Sequence, residues 1–191
     1  MYYIGIDVGT SSVKALLIDS DGKVIRTVVP EYSFQTPKPL WAEANPNDWW
    51  EATQKAIKEL VSFVKPNEIA AIGLTGQMHG MVALNNNGSV LRPCIMWNDQ
   101  RSHLECDEIT QKVGQDKVLS ITGNPVLPGF TAPKILWTQK HEPDLFSSIH
   151  KVVLPKDFIR YKLTGSFFSD VSDASGTSLL DVGKRTWSQQ M

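Results

Sequence analysis

Asp21-Gly22 sits between two apolar runs, residues 13–18 and 23–29. Asp-Gly in that setting favours a tight turn with positive φ and fixes an antiparallel hairpin. Residues 2–8 precede it and alternate, with Ile4, Ile6 and Val8 on one face. The chain therefore opens as a three-strand antiparallel meander rather than a strand–helix–strand unit. Residues 13–18 are almost continuously apolar, which predicts a strand buried on both faces.

A loop with Pro30, Pro37 and Pro39 follows. Asn45-Pro46 then reads as a helix start, Asn45 capping and Pro46 in the first turn. Trp49, Ala56, Ile57, Leu60, Val61 and Val64 recur at helical spacing, and Lys65-Pro66 closes the run. Residues 69–75 read as a short strand. Asn86-Asn87-Gly88 joins two apolar segments as a second hairpin. Helices are expected at 102–113, 132–141, 144–149 and 155–163, with a strand at 152–154. Residues 185–191 look like the start of another helix. The pattern is mixed α/β, with no internal repeat.

Composition narrows the function classes. Lys plus Arg total 19 and Asp plus Glu total 20, for a net charge of −1. That balance lacks the basic excess of a nucleic-acid binder. The 41% hydrophobic fraction is too high for a disordered chain. No apolar run approaches the ~20 residues that cross a bilayer. The first residues lack the basic and apolar regions of a signal peptide. Two cysteines, Cys94 and Cys106, have neither disulfide-scaffold nor metal spacing. A cytoplasmic chain without nucleic-acid or membrane partners is expected, and a homodimer is left open.

Four polar clusters interrupt this pattern. In Asp7-Val8-Gly9-Thr10-Ser11-Ser12-Val13-Lys14 a carboxylate lies near the end of a strand, glycine and hydroxyl residues follow, and a cation lies on the returning strand. Turn N–H groups and hydroxyls can hold phosphate oxygens, and a carboxylate can hold Mg²⁺ directly or through water. The same residues would also serve a plain polar hairpin. Gln77-Met78-His79-Gly80 follows the strand at 69–75. There His79 could bond a hydroxyl and Met78 could pack on a sugar face, or both could be structural. Trp97-Asn98-Asp99-Gln100-Arg101 has a carbohydrate-binding composition, but also suits a helix cap with a solvated Asp–Arg pair. A fourth cluster, Asp170, Ser172, Asp173, Ser175 and Thr177, reads as turn and capping residues.

Taken together, these stretches resemble the FGGY family of carbohydrate kinases, and its xylulokinases most. Gly129-Phe130-Thr131-Ala132-Pro133-Lys134-Ile135-Leu136-Trp137 matches a family signature, with Thr138 departing from the usual apolar residue. Leu154-Pro155-Lys156-Asp157-Phe158-Ile159-Arg160 and Ser172-Asp173-Ala174-Ser175-Gly176-Thr177 complete it. The resemblance implies a ribonuclease-H-like, actin-like α/β domain. It implies ATP and Mg²⁺ as cofactors and D-xylulose as the phosphoryl acceptor. Asp7 would arrange Mg²⁺ through water and the transferring group. Gly9, Thr10, Ser11, Ser12 and Lys14 would line the ATP phosphates. Gln77, Met78, His79, Trp97 and Asp99 form the expected sugar-binding set.

Family members are more than twice this length, and their proton-accepting Asp lies in a later Gly-Asp-Asn segment. Residues 1–191 are therefore expected to form the N-terminal, sugar-binding domain, cut short, without the ATP-binding second domain, and to be inactive alone. L-ribulose, fructose and gluconate are rival substrates. A non-catalytic ketose-binding module and an actin-like ATPase are the readings from other classes.

Overall fold

The computed structural model describes all 191 residues. Strands β1 (Tyr2–Val8), β2 (Val13–Asp19) and β3 (Val24–Val28) form the antiparallel meander. Its turn closes at Gly22, where φ is +81°. The Asp19 carboxylate accepts from the N–H groups of Asp21 and Lys23, so the turn is fixed from its own strand end.

A two-residue strand β4 (Glu43–Ala44) leads to α1 (Pro46–Leu60). Asn45 caps α1, its side-chain oxygen accepting from the Asn47 N–H, and Pro46 opens the first turn. Beyond α1 the chain enters β5 (Ile69–Gly76), which pairs parallel to β1. The main sheet has the order β3-β2-β1-β5.

The rest of the chain is helical with short strand pairs. It runs β6 (Val82–Leu84), β7 (Cys94–Ile95), α2 (His103–Val113), α3 (Gln115–Thr122), α4 (Thr131–His141) and α5 (Pro143–Ser147). Then come β8 (Lys151–Val153), α6 (Pro155–Thr164), α7 (Val171–Ala174), β9 (Leu180–Asp181) and β10 (Thr186–Trp187). β4 pairs with β7 and β6 with β8. None of the helices is long and apolar enough to cross a membrane.

The core lies on one face of the sheet. Ile4, Ile6 and Val8 of β1 and Val13, Ala15 and Leu17 of β2 pack with Trp49, Ala56 and Leu60 of α1 and Phe158 and Ile159 of α6. Each fully buried Leu, Ile or Phe contributes roughly 1.5–3 kcal/mol. The expectation that residues 13–18 are buried on both faces is corrected. Leu16 and Ile18 are only half-buried, and Lys14 on their face is exposed. The α1 helix packs on the opposite face, so β2 alternates like a one-sided strand.

Two further corrections concern local signals. Residues 185–191 do not start a helix. Asp181 accepts from the Lys184 N–H and pairs with its ammonium, which turns the chain so that β10 folds back on β9. The α3 helix was not foreseen, because its eight residues follow Gly114 with no capping side chain. Both cysteines are buried and free.

Candidate active site

Residues 9–12 form the loop between β1 and β2. The Gly9 N–H donates to the Ser12 carbonyl at 2.9 Å and closes it. Tyr32, on the loop after β3, holds both ends, its hydroxyl donating to the Gly9 carbonyl at 2.6 Å and reaching the Ser12 carbonyl at 2.9 Å. Burial, reinforced by the Asp7 charge, raises the Tyr32 pKa, so the phenol keeps its proton. The Ser11 and Ser12 hydroxyls make no hydrogen bond within the chain. Asp7 and Lys14 stand opposite each other across β1 and β2, with Thr75 of β5 beside Asp7. Both charged residues are exposed, and neither forms an ion pair.

The segment after β5 lies against this loop. A Cβ on Gly76 would sit 2.8 Å from the Val8 carbonyl oxygen, so the approach requires glycine. Gln77 follows, its backbone N–H donating to the Val8 carbonyl and its side-chain amide donating to the Gly9 carbonyl at 3.0 Å. Met78 is 55% exposed.

His79 is held on every side. Its backbone is left-handed, with φ +65°, a conformation costly for any residue with a Cβ. Its carbonyl accepts from the Thr131 hydroxyl at 3.1 Å and the Lys134 ammonium at 2.9 Å. The imidazole Nδ1 lies 2.8 Å from the Gly176 carbonyl oxygen, and the ring packs on Phe130 at 4.7 Å. Burial lowers the His79 pKa, and the nearby Lys134 ammonium adds to this against the Gly176 bond.

Trp97 is 46% exposed, and its indole N–H donates to the Thr10 hydroxyl at 3.2 Å. Gly129 packs under it, where a Cβ would lie 2.7 Å from the Trp97 carbonyl oxygen.

Asp99 departs from the expected sugar-binding set. Its carboxylate is fully buried and accepts from the Ala42 N–H at 2.6 Å. The Arg101 guanidinium engages both of its oxygens. Arg101 also pairs with Glu43 at 2.7 Å and stacks on Trp41 at 3.6 Å. With its oxygens committed to these partners, Asp99 shapes the turn that carries Trp97 and has no free face for a ligand. The Asp–Arg pair read from the sequence therefore exists, but in the interior rather than on a solvated face.

The structure thus brings residues 9–12, Gln77, His79 and Trp97 into one connected assembly and leaves Asp99 behind it. Sequence reasoning missed the roles of Tyr32, Thr131, Lys134 and Gly176. A signal existed for two of them. Thr131 and Lys134 lie three apart on the same inward face of α4, a cation among apolar neighbours. Thr138, the departure from the signature, continues that face and donates to the Lys134 carbonyl at 2.8 Å. The fourth polar cluster does the capping expected of it, Asp170 accepting from the Asp173 N–H, and its acids also surround the Lys156 ammonium.

No group of three or more His, Cys, Asp or Glu residues is arranged to hold a metal ion by itself. Asp7, exposed and unpaired, suits a cation that keeps most of its waters and takes phosphate oxygens as its other ligands, as Mg²⁺ does.

The sequence model of the FGGY carbohydrate kinases, N-terminal domain, matches residues 2–191. The chain belongs to this FGGY family. The xylulose kinase of Escherichia coli (strain K12) is 49% identical over 189 residues, covering 99% of this chain and 39% of its own length. The crystal structure of a xyloylose kinase from Brucella ovis superposes with a TM-score of 0.92 at 46% identity, over 98% of this chain and 39% of that one. A gluconate kinase from Lactobacillus acidophilus also has a TM-score of 0.92, at 30% identity, over 99% of this chain and 38% of that one. This FGGY chain therefore spans about 39% of the length of the curated relatives it matches.

Proposed function

We propose that residues 1–191 are the sugar-facing part of an ATP-dependent kinase that phosphorylates D-xylulose to D-xylulose 5-phosphate. The observation that carries this reading is the tie of two segments to the loop between β1 and β2. Gln77 and Trp97 bond residues 9 and 10, so the residues assigned to the ATP phosphates and those assigned to the sugar form one hydrogen-bonded unit. In-line phosphoryl transfer depends on such relative placement more than on covalent chemistry.

In the proposed reaction a sugar hydroxyl oxygen attacks the γ-phosphorus as its bond to the β–γ bridging oxygen breaks. ADP leaves, and the hydroxyl proton passes to a carboxylate. The Ser11 and Ser12 hydroxyls and the loop N–H groups bind phosphate oxygens, and Lys14 adds positive charge beside them. Asp7 would hold Mg²⁺, through water, and the ion would supply charge neutralisation on the phosphates. Met78 packs on the sugar, and His79 bonds one of its hydroxyls. Asp7 is assigned to the cation, so the proton acceptor is assigned to the part of the relatives that this chain does not span. Residues 1–191 alone turn over slowly or not at all.

The test is ADP release with Mg-ATP, with and without D-xylulose, together with calorimetric titration of D-xylulose, L-ribulose, fructose and gluconate. Binding of D-xylulose in preference to the others, without sugar-dependent ADP release, is expected. ADP release independent of any sugar would favour an ATPase. Sugar-dependent turnover by this chain would overturn the assignment of the proton acceptor.

A further inference from the structure

We propose that Gly176, Thr131 and Lys134 are positioning residues that hold His79 as the Nδ1-protonated tautomer, with Nε2 presented as an acceptor to a ligand hydroxyl. This deepens the kinase reading and rests on it for the identity of the ligand, but the clamp itself stands on geometry alone.

The argument starts at the ring. A backbone carbonyl only accepts, so the 2.8 Å contact between Nδ1 and the Gly176 oxygen places a proton on Nδ1. A neutral imidazole then has its lone pair on Nε2, which has no hydrogen-bond partner in the chain. Burial lowers the His79 pKa and favours that neutral form. The backbone is held separately. Two donors from α4, one of them the fully buried Lys134 ammonium, converge on the His79 carbonyl and keep the residue left-handed. Lys134 also donates to the Gly129 carbonyl at 2.6 Å, joining the support beneath Trp97 to the support behind His79. Gly176 is the steric counterpart, because a Cβ there would overlap the imidazole ring.

The consequence is directional. A ligand must donate a hydroxyl hydrogen to His79, so an analogue whose hydroxyl is replaced by an acceptor-only group at that position binds poorly. The segment 172–177, which runs from α7 into a single 3₁₀ turn, acquires a role in ligand recognition through one carbonyl.

The experiment is ¹⁵N NMR of the labelled imidazoles at pH 7.5, with D-xylulose titration in parallel. His79 is expected to show a protonated Nδ1 and an unprotonated Nε2. In Gly176→Ala the preference should collapse to a mixture and sugar affinity should fall at least tenfold. Thr131→Val should weaken affinity about fivefold, and Thr131→Ser should restore it. This second pair keeps the test open if Gly176→Ala does not fold. A wild-type His79 protonated on Nε2 overturns the proposal. So do folded variants, at either position, with unchanged tautomer and affinity. If the tautomer is as expected but no sugar binds the wild type, the clamp stands and the substrate assignment fails.

Discussion

Trp97 and Thr10 are joined by a single 3.2 Å hydrogen bond from the indole N–H to the hydroxyl, and it links the turn behind Asp99 to the loop between β1 and β2. Trp97→Phe keeps an aromatic surface and deletes that donor. We expect a stability change under about 1 kcal/mol, since both groups remain accessible to water. Amide exchange at residues 10–12 should accelerate, and the nucleotide dissociation constant should rise several-fold. Unchanged exchange would mean that the bond does not steady the loop.

Tyr32 supports the same loop from the other side. Tyr32→Phe removes a donor shared by the Gly9 and Ser12 carbonyls. The expected cost is about 1–2 kcal/mol in denaturant unfolding. The raised phenol pKa has a second consequence. Above pH 10 the unfolded chain loses this proton first, so folding stability falls as pH rises, and the fall should be shallower in Tyr32→Phe.

Asp99 separates a structural from a binding role. Asp99→Ala leaves the Arg101 guanidinium buried with only Glu43 as a charged partner. Breaking a buried pair from one side costs about 3–5 kcal/mol, so the melting temperature should drop sharply. Sugar affinity measured well below the new midpoint should change little. Lost affinity at unchanged stability would return Asp99 to the ligand.

Lys134 gives a pH signature. Burial lowers its pKa from 10.5 to about 8. Between those values the folded chain has released the proton and the unfolded chain still holds it. Stability contributed at this site therefore rises with pH across the window, by about 3 kcal/mol in full. The measurement is the difference in unfolding free energy between wild type and Lys134→Met from pH 7.5 to 10.5. A flat difference would show that the ammonium is not desolvated.

His79 titrates in the opposite range. Its pKa is lowered by burial, with the Lys134 ammonium as the charged group facing it. Ligand affinity should hold steady from pH 8 to 6.5 and weaken below that, as Nε2 gains a proton and ceases to accept. The unfolded chain binds that proton more readily, so stability falls in the same direction. Affinity that improves on acidification would mean that the imidazolium, not the neutral ring, meets the ligand.

Much of the frame was legible because its determinants are local. Asp21-Gly22 fixed the meander, and Asn45-Pro46 fixed the start of α1, each through a turn or cap that one short segment can specify. The α3 helix lacked such a mark, while the Asp181–Lys184 turn that folds β10 back on β9 is local but is followed by residues that read as a helix start. The site divides in the same way. Residues 9–12 and 77–79 stand out because glycine and polar groups interrupt apolar strands. Asp99 misled because a carboxylate beside a tryptophan looks the same whether it faces solvent or a buried arginine. Tyr32, Lys134 and Gly176 act across separations of 20 to 97 residues, through bonds to backbone carbonyls that no spacing rule records.

The close packing at Gly76, Gly129 and Gly176 bears on how such a site can be re-engineered. In a saturation library all three positions should tolerate almost nothing but glycine, since any larger residue drives a Cβ into a backbone oxygen or an imidazole ring. Adaptive variation is left to the outward side chain of Met78, which bonds nothing in the chain and can change size without moving the main chain. New ligand preferences should therefore arise by exchanging that one surface over an invariant backbone, and reshaping the backbone itself should be a dead end.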